Sequence, residues 1–413
     1  MYQPVRGTHD LLAEECAKQR RIVAIAKDVA ALYGYSEIET PIFEFTGVFN
    51  SVGETSDIVT KETYTFTDRG GEQITLRPEA TAPIMRAIVS NGLTHNTPLK
   101  LFYSGPMFRY ERPQKGRYRQ FSQIDVELVG AAQPFADAEI ISMAAHILQS
   151  LNISANIVLQ INTLGDHESR DSYRKVLVDY LSDFRQDLSE DSQKRLDKNP
   201  LRILDSKDQG DKNILENAPD YTEYLNAASA DFFAAVLKDL DLLNIKYELN
   251  SKLVRGLDYY CHTAFEFITH DLGAQGTIIA GGRYDGLVNR MGGQDLPGVG
   301  WAGGIERLAM LSALQVTAPR PICVIPLGEA ADSFAKTLAN NLRMAGVPTD
   351  LGYSGNLGKR MKRADKANAR HALIIGEEEL QKEIALLRDL DSGEQSEIAF
   401  EAIIAEMLIR SKE

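Results

Sequence analysis

Side chains alternate strictly along residues 117–130, RYRQFSQIDVELVG. In an extended strand, successive side chains point to opposite faces, so Ile124, Val126 and Leu128 share one face. The opposite face collects Arg119, Phe121, Gln123, Asp125 and Glu127. A sheet needs the apolar face for its core, but it does not need a row of polar and charged groups for stability. The pattern therefore predicts a strand with one face in the core and the other face available for function.

The preceding residues extend this strand into a basic hairpin. The segment LKLFYSGPMFRYER predicts a second strand, and PQKG predicts the loop between the two. Residues 108–121, FRYERPQKGRYRQF, carry five cations and one acid in a chain whose formal charge is −13. Guanidinium groups match phosphate geometry and aromatic rings stack on bases, so the hairpin suits a polyanion. The alternative is a solvated hairpin whose arginines pair with surface carboxylates.

Length and composition predict a globular protein of two or three domains. Its 413 residues are 44% hydrophobic and 25% charged. Cys16, Cys261 and Cys323 are far apart and have no metal-ligand spacing, which favours a reducing compartment and gives no reason to propose a metal site. The N-terminus lacks an apolar signal-type region, and no run of 18 apolar residues occurs. We expect a cytoplasmic protein without membrane spans.

Changes of pattern along the chain predict the domain organisation. A charged, helix-patterned segment at about 168–245 reads as a helical insertion, because strand-like sequence lies on both sides of it. The stretch VTAPRPI (316–322), with two prolines, is the best candidate linker. Strand and helix patterns alternate beyond it, which predicts a small α/β domain. We therefore expect a first domain over residues 1–318 and a second over 319–413.

Three other stretches hold candidate functional residues. In TLRPEATAPIMRA, Glu79 and Thr81 precede a predicted helix, where they could receive an ammonium group or serve as helix-end groups. Arg255 stands in the strand-like run LVRGLDYYCHTAFEF and could equally form a salt bridge. Arg307 follows the close-packed glycines of PGVGWAGGIERL at a predicted helix start. The sequence contains no GxxxxGK[ST], GxSxG or HExxH motif, so any phosphate binding is not of the Walker type.

Taken together, these stretches resemble the histidyl-tRNA synthetases, which are class II aminoacyl-tRNA synthetases. The resemblance runs from RGTHDLL through TLRPEATA, FRYERPQKGRYRQF, LVRGLDYY, AGGRYDGL and GVGWAGGIERL, in the family's order. The FRYER and GIER stretches resemble class II motifs 2 and 3, and the part around Pro41 resembles the motif 1 that builds the dimer interface. The resemblance implies an α+β fold: an antiparallel sheet flanked by helices, a helical insertion and a C-terminal α/β anticodon-binding domain.

The resemblance also implies roles for individual residues. Arg109 and Arg255 would act in catalysis at the ATP α-phosphate from opposite sides, the fixed charge of Arg255 taking a role that other class II enzymes give to a metal. For ATP, Phe121 would stack on adenine, and Arg117 and Arg307 would hold the outer phosphates. For histidine, the α-amino group would be bound by Glu79, Thr81 and Gln123, and the imidazole by Glu127, Tyr260 and Tyr284. Arg112 and Gln114, at the loop tip, would reach the tRNA acceptor end.

The implied activity is ATP-dependent formation of histidyl-adenylate and transfer of histidine to the terminal adenosine of tRNA(His). Mg²⁺ is expected with ATP, and a homodimer is expected as the assembly. The C-terminal segment GNLGKRMKRADKANARH is strongly basic, which suits contact with tRNA but also suits a solvated amphipathic helix. Departures from the family pattern are Ala80 for Gly, His9 for Asn, and Cys261-His262 for Asn-Arg.

Two other functions are compatible with parts of this sequence. The first is the synthetase-like regulatory subunit of ATP phosphoribosyltransferase, which senses histidine without charging tRNA. Such subunits typically lack the C-terminal domain and have degraded arginine-rich motifs, whereas this chain has both features intact. The second is another class II synthetase, which LVRGLDYY and AGGRYDGL disfavour.

Overall fold

A computed structural model describes residues 2–411 except 51, 52, 54–56, 154, 155, 258, 273–275, 317 and 318. The chain divides into two compact units, Met1–Val316 and Thr317–Glu413. Residues 317 and 318 of the predicted linker lie outside the described residues.

The helices in chain order are α1 (Ala13–Leu32), α2 (Thr46–Asn50), α3 (Asp57–Lys61), α4 (Thr81–Ser90), α5 (Pro134–Ser150), α6 (His167–Asp183), α7 (Glu190–Lys198), α8 (Gln209–Leu215), α9 (Ala227–Leu242), α10 (Leu287–Arg290), α11 (Ile305–Leu311), α12 (Glu329–Met344), α13 (Leu357–Lys366), α14 (Glu377–Gln381) and α15 (Phe400–Arg410). Short 3₁₀ helices span Leu93–His95, Pro200–Ile203 and Tyr221–Tyr224.

The strands are β1 (Ser36–Glu37), β2 (Phe43–Phe45), β3 (Tyr64–Thr67), β4 (Gln73–Leu76), β5 (Leu99–Phe108), β6 (Gln120–Val129), β7 (Ile157–Thr163), β8 (Glu248–Leu249), β9 (Cys261–Thr269), β10 (Thr277–Arg283), β11 (Gly298–Gly304), β12 (Ile322–Pro326), β13 (Thr349–Leu351), β14 (His371–Ile375), β15 (Ile384–Asp389) and β16 (Gln395–Ala399).

The main sheet of the first unit has, among the described residues, eight strands in the order β1-β5-β6-β11-β10-β9-β7-β8. The six central strands, from β5 to β7 in this order, pair antiparallel with one another. The short edge strands β1 and β8 pair parallel with β5 and β7. In this register Asp125 of β6 stands between Tyr103 of β5 and Ala302 of β11. The α+β prediction with an antiparallel sheet flanked by helices is confirmed.

The apolar face of β6 lies in the core as its alternation predicts. Ile124, Val126 and Leu128 pack in one buried cluster with residues of α1, α5, α9 and α11. The single tryptophan, Trp301 on β11, donates its indole N–H to the carbonyl of Ile140 at 3.0 Å, so the sheet and α5 are also joined by a buried hydrogen bond. The opposite face of β6 is therefore the one left for the polar side chains.

The hairpin strands are shorter than their sequence predicts. Strand β5 ends at Phe108 and β6 begins at Gln120, so residues 109–119 form the connection. Pro113 has no N–H to donate, and Gly116 has a φ of +72°, which an L side chain rarely adopts. The prediction that Arg255 lies in a strand-like run is also wrong, since the residue sits in the loop between β8 and β9.

Helices α6 to α9 occupy residues 167–242, the segment that the sequence predicts as helical. Helix α9 contributes Phe233, Val236 and Leu240 to the main core, whereas α6 and α7 belong to a second cluster with α4 and α10. The buried carboxylate of Asp211 on α8 ties this region together. It accepts the backbone N–H of Ser189 and the hydroxyls of Ser189, Ser192 and Ser206, at 2.5–2.8 Å.

A small second sheet, β2-β4-β3, stands apart from the main one. Phe45 and Phe66 flank Ile74 from the two sides, and Phe43 lies opposite Leu76. All three phenylalanines are about half exposed, at 53%, 60% and 48% for Phe43, Phe45 and Phe66. The three rings form an exposed apolar face on this sheet.

The second unit is a five-stranded sheet in the order β13-β12-β14-β15-β16. Strands β12, β13 and β14 run parallel, and the remaining pairs are antiparallel. Helices α12 and α15 cover one face, with Ala335, Leu338 and Met407 among the buried contacts. Across the described part of the whole chain, no helix has both the length and the apolar character needed to cross a bilayer.

We predict that Asp211→Asn loosens α7 and α8, because the neutral amide cannot replace a carboxylate that accepts four hydrogen bonds. The expected loss is about 2 kcal/mol, or roughly 30-fold faster local amide exchange. Hydrogen-exchange mass spectrometry over residues 185–215 measures it. Asp191→Asn, at an exposed position of α7 with only a long ion pair to Arg195, is the matched control.

The effect of Asp211→Asn should depend on pH. Burial alone would raise the pKa of Asp211, but the hydrogen bonds from Ser192, Ser206 and Ser189 outweigh it and lower the pKa. A lowered pKa in the folded state adds stability that is present above the unfolded value of about 3.9 and is lost as the pH falls through the folded value. Equal exchange rates for wild type and variant at neutral pH would contradict the prediction.

Candidate active site

A cavity of about 340 Å³ opens on the polar face of the main sheet, above β6, β9, β10 and β11. Its wall brings together nine of the residues singled out from the sequence, although they come from distant parts of the chain. They are Glu79, Thr81, Arg109, Arg117, Phe121, Gln123, Arg255, Tyr260 and Arg307. The alternation of β6 is the reason that Phe121, Gln123 and Asp125 all face this cavity.

Glu79 caps α4 and also lines the cavity. Its carboxylate accepts the backbone N–H groups of Thr81 and Ala82, each at 2.9 Å. Thr81 does not cap the helix with its side chain, and its hydroxyl instead donates to Glu127 at 2.6 Å. Burial raises the pKa of Glu79, against the hydrogen bond from Ala82 and the charge of Arg109. Glu79 can therefore serve both as a helix-end group of α4 and as part of the cavity wall.

Glu127 and Tyr284 lie beneath the cavity and are not part of its wall. The carboxylate of Glu127 accepts the hydroxyls of Thr81 and Tyr284, one on each oxygen. Burial raises the pKa of Glu127 to about 8. Gly300 of β11 makes room for it, since a Cβ there would lie 1.8 Å from Oε2 of Glu127. Gly298 likewise leaves space for the Tyr284 ring.

Three arginines from the connection and from α11 surround the outer part of the cavity. Arg109 donates through Nε to the carbonyl of Pro78 at 2.8 Å and lies 5.2 Å from the Phe121 ring centre. Arg117 pairs with Glu111, while Arg307 donates to the carbonyl of Gly116 at 3.1 Å. Burial lowers the pKa of Arg307, and its neighbours Arg117 and Arg109 lower it further. So much positive charge at close range favours a bound anion.

Arg255 enters the cavity from its loop and pairs with Glu266 of β9. The hydroxyl of Thr277 holds the other Glu266 oxygen at 2.8 Å, and the Arg255 guanidinium lies 5.5 Å from the Tyr260 ring centre. Burial alone would lower the pKa of Arg255, but the Glu266 carboxylate together with Tyr260 and Tyr259 outweighs burial and raises it. Its buried Nε has no hydrogen-bond partner among the described residues. Arg255 is thus a fixed cation with a donor to spare.

Arg112 and Gln114 are exposed in the 109–119 connection and do not line the cavity. The backbone of Gln114 pairs with that of Arg117, which closes the tip of the connection. Arg119 N–H donates to the carbonyl of Gly7 at 2.8 Å, and the His9 ring lies 4.4 Å from the Tyr118 ring. The RGTHDLL stretch therefore supports the basic connection from outside the cavity.

Six acidic or phenolic groups of the wall had no role assigned from the sequence: Glu111, Tyr118, Asp125, Tyr259, Glu266 and Glu306. Both oxygens of Glu306 accept the backbone N–H of Ser122, at 2.9 and 3.1 Å, and burial raises the pKa of Glu306 to about 7. The sequence did indicate two of them, because Asp125 shares the polar face of β6 and Glu306 directly precedes Arg307. Within the described residues, no group of three or more His, Cys, Asp or Glu side chains is placed to hold a metal ion.

The residues that depart from the family pattern lie behind the wall. Cys261 accepts the backbone N–H of Asp285 on its sulfur at 3.3 Å, and burial raises the pKa of its thiol to about 12. His262 has a φ of +44°, and its ring packs 4.8 Å from that of Phe232. Arg283 and Asp137 form a fully buried ion pair nearby. These groups pack behind the residues that line the cavity and are not part of its wall.

Comparisons with known proteins agree along the whole chain. A family model described as histidyl-tRNA synthetase matches residues 7–308, and one described as an anticodon binding domain matches residues 321–410. A histidine–tRNA ligase of Rhodospirillum rubrum is 56% identical over 410 residues, or 99% of each chain. The ligase of Rickettsia bellii is 48% identical over 411 residues, again 99% of each.

Solved structures also resemble this chain over nearly its whole length. The apo histidyl-tRNA synthetase of S. aureus has a TM-score of 0.83 and 35% identity, covering 98% of this chain and all of that one. A Bacillus halodurans protein described as an ATP phosphoribosyltransferase regulatory subunit/histidyl-tRNA synthetase has a TM-score of 0.66 at 22% identity, covering 91% of this chain and 98% of that one. A likeness at that identity shows the fold alone.

We predict that Gly300→Ala destabilises the first unit by about 1–3 kcal/mol, because its Cβ collides with Glu127 and with the Val126 carbonyl. Urea unfolding followed by the fluorescence of Trp301, the adjacent and single tryptophan, measures the change. Gly47→Ala, whose Cβ has nothing within 4 Å, is the matched control. Unchanged unfolding of Gly300→Ala would mean that Glu127 does not lie against this strand.

Proposed function

The chain belongs to the histidyl-tRNA synthetase family and charges tRNA with histidine using ATP, and we propose that the cavity above β6 is where histidine is activated. The observation that supports this placement is that four arginines, the Phe121 ring and the carboxylates of Glu79 and Asp125 line one cavity. We further propose that residues 1–318 form the catalytic domain and residues 319–413 the anticodon-binding domain.

We assign the outer part of the cavity to ATP. Phe121 offers a ring face to adenine, with Arg109 close beside it for the α-phosphate. Arg117 and Arg307 then hold the outer phosphates. Both are held by protein oxygens, Arg117 by Glu111 and Arg307 by the carbonyls of Gly116 and Thr277. A guanidinium has five N–H donors, so each can also hold phosphate oxygens in two-point fashion.

We assign the inner part of the cavity to histidine. Glu79, Thr81 and Gln123 lie on the wall where they can bind the α-amino group. Tyr260 lines the same region, and Glu127 with Tyr284 forms the hydrogen-bonded layer beneath it. A buried polar layer of this kind rejects ligands that leave its groups unpaired more strongly than shape alone does.

The proposed reaction begins when the histidine carboxylate attacks the α-phosphorus of ATP and displaces diphosphate. Negative charge then grows on the oxygens of the α-phosphoryl group. Arg109 and Arg255 are fixed cations on the cavity wall, and preorganised charges of this kind stabilise such a transition state without reorganising. Glu266 and Thr277 hold Arg255 in position. In the second step the ribose hydroxyl of tRNA attacks the carbonyl carbon of the adenylate and AMP leaves with the electron pair of the broken C–O bond. Positioning is the main contribution of the protein to this step.

We propose that Mg²⁺ accompanies ATP. Glu306 suits this role because its carboxylate lines the cavity and accepts the backbone N–H of Ser122, which leaves lone pairs on both oxygens. Carboxylate oxygen is a ligand that Mg²⁺ prefers. When bound, the ion would neutralise part of the charge on the outer phosphates.

Contacts with tRNA(His) are assigned to two regions. Arg112 and Gln114 are exposed on the connection, where they could reach the acceptor end. In the second unit, Lys359, Lys362 and Lys366 are exposed on α13, while Arg363 pairs with Asp350. Such lysines supply affinity through phosphate rather than sequence choice. The three free cysteines suit a reducing compartment, so we propose a cytoplasmic location.

The assignment is tested by ATP–diphosphate exchange with each of the twenty amino acids separately. Exchange with histidine alone is the expected result. Binding of histidine without exchange would favour the regulatory function, in which histidine is sensed and not activated. Transfer to tRNA(His) is then measured with the same preparation.

We predict that Arg255→Ala lowers ATP–diphosphate exchange by about 10²–10³-fold, the usual cost of removing one transition-state charge contact. Arg174→Ala, at an exposed position of α6, removes the same charge away from the cavity and should leave the rate unchanged. Circular dichroism of both variants checks that the fold persists. Near-normal exchange by Arg255→Ala would remove Arg255 from the mechanism.

We also propose that the chain is a homodimer through the face of Phe43, Phe45 and Phe66. Phe45→Asp places a charge in the middle of this face and should dissociate the dimer, as measured by sedimentation equilibrium. Leu249→Asp introduces the same charge at a similarly exposed apolar residue at the far edge of the main sheet. If both variants keep the mass of the wild type, this face is not the interface.

A further inference from the structure

Three acidic side chains lie close together, Glu79 and Asp125 on the cavity wall and Glu127 beneath it. Within the described part of the chain, only Glu79 and Glu127 accept a hydrogen bond on each carboxylate oxygen. Glu79 accepts two backbone N–H groups, and Glu127 accepts two hydroxyls. Asp125 differs, because its Oδ2 is shut off from solvent and has no donor among the described residues. The Oε1 atom of Gln123, two residues earlier on the same face, is also buried and has no donor among the described residues.

Asp125 is nevertheless part of the cavity wall. It is only 1% exposed, and it stands in the middle of β6 between Tyr103 and Ala302. The small Ala302 side chain also lines the cavity, so β11 places only a methyl group beside the carboxylate on that side. The last side-chain bond of an aspartate rotates easily, so either oxygen can be presented to the cavity.

Neighbouring arginines do not account for Asp125. Arg77 directs its bonds to the carbonyls of Pro106, Thr40 and Pro41, and Arg109 donates through Nε to Pro78. Neither forms an ion pair with Asp125 in the described part of the chain. A buried acceptor without a donor costs free energy, which a ligand that brings donors recovers.

We propose that Asp125 is a further binding group for the ammonium of histidine, which it holds together with Glu79 and Gln123. An ammonium group has three N–H donors and no acceptor. Gln123 Oε1 and Asp125 supply two acceptors that the protein leaves unused, and Glu79 supplies a third oxygen beside them. The inference rests on the proposed function, since it requires that histidine occupies the inner end of the cavity.

The electrostatics of the site agree with this assignment. Burial raises the pKa of Asp125 well above its usual value, and the carboxylates of Glu127 and Glu79 raise it further. Arg77 and Arg109 oppose the shift from the two sides. A cationic ligand relieves the repulsion among the three acids, whereas a neutral or anionic ligand does not.

The test compares L-histidine with 3-(imidazol-4-yl)propanoate, which lacks only the amino group, by titration calorimetry on the full chain. Asp125→Asn should weaken L-histidine binding by roughly tenfold to hundredfold. It should change the binding of the analogue less than twofold, because the contact that it removes is absent there. The KM for ATP in diphosphate exchange should also stay within twofold.

Asp231→Asn, at an exposed position of α9, makes the same chemical change and should alter neither affinity. Equal losses of affinity for histidine and the analogue, or a raised KM for ATP, would overturn the proposal. They would mean that Asp125 positions Arg109 or stabilises the fold. Unchanged histidine affinity would overturn it as well. Asp125→Ala repeats the comparison if the asparagine variant does not fold.

A failure of the inference differs from a failure of the proposed function. If the wild-type chain shows no histidine-dependent exchange, the function itself is wrong. If the wild type exchanges normally and Asp125→Asn binds both ligands as the wild type does, only the role of Asp125 is wrong.

Discussion

The antiparallel register of β6 against β5 and β11 is the constraint on which the site depends. It places Gln123, Asp125 and Glu127 on the cavity side and Ile124, Val126 and Leu128 in the core. A slip by one residue would exchange these two sets, burying three polar groups among aliphatic side chains. The same pairing brings Gly300 opposite Glu127, where a side chain would not fit. Core packing and site geometry are therefore two results of one register.

Charge at the site is arranged in two zones that suit the two ends of an aminoacyl-adenylate. Arg109, Arg117 and Arg307 surround the outer zone, while Glu79, Asp125 and Glu127 lie at the inner one. Burial disfavours the charged form of groups in both zones, so each is poised to gain from a ligand of opposite charge. Arg255 is the exception, because Glu266 keeps its charge favourable without a ligand.

The chain's acidity and its basic segments have separate consequences. A formal charge of −13 disfavours indiscriminate binding of RNA over the whole surface. Two dense clusters of cations lie in the 109–119 connection and on α13. Some of them are already engaged, such as Arg119 over the Tyr110 ring and Arg363 with Asp350, which fixes their direction before a ligand arrives. Preorganised cations lose less entropy on binding than free ones do.

Much of this was determined by the sequence alone. The alternation of β6 is a period-2 signal that any half-buried strand must obey, so its two faces were predictable residue by residue. The order of the short motifs implied the family, the activity and most of the cavity wall. Such features are local, because each depends on neighbours within a few positions of the chain.

Only the tertiary structure decided what each of these side chains contacts. It placed Glu79 on the backbone of α4, moved Arg255 into a loop against Glu266, and left Arg112 and Gln114 outside the cavity. It also showed that Asp125 Oδ2 has no donor among the described residues, which no spacing reveals. Hydrogen-bond satisfaction and burial depend on groups that are far apart in sequence, such as Ser122 and Glu306. The packed fold alone brings such groups together, and the chemistry of the site depends on them.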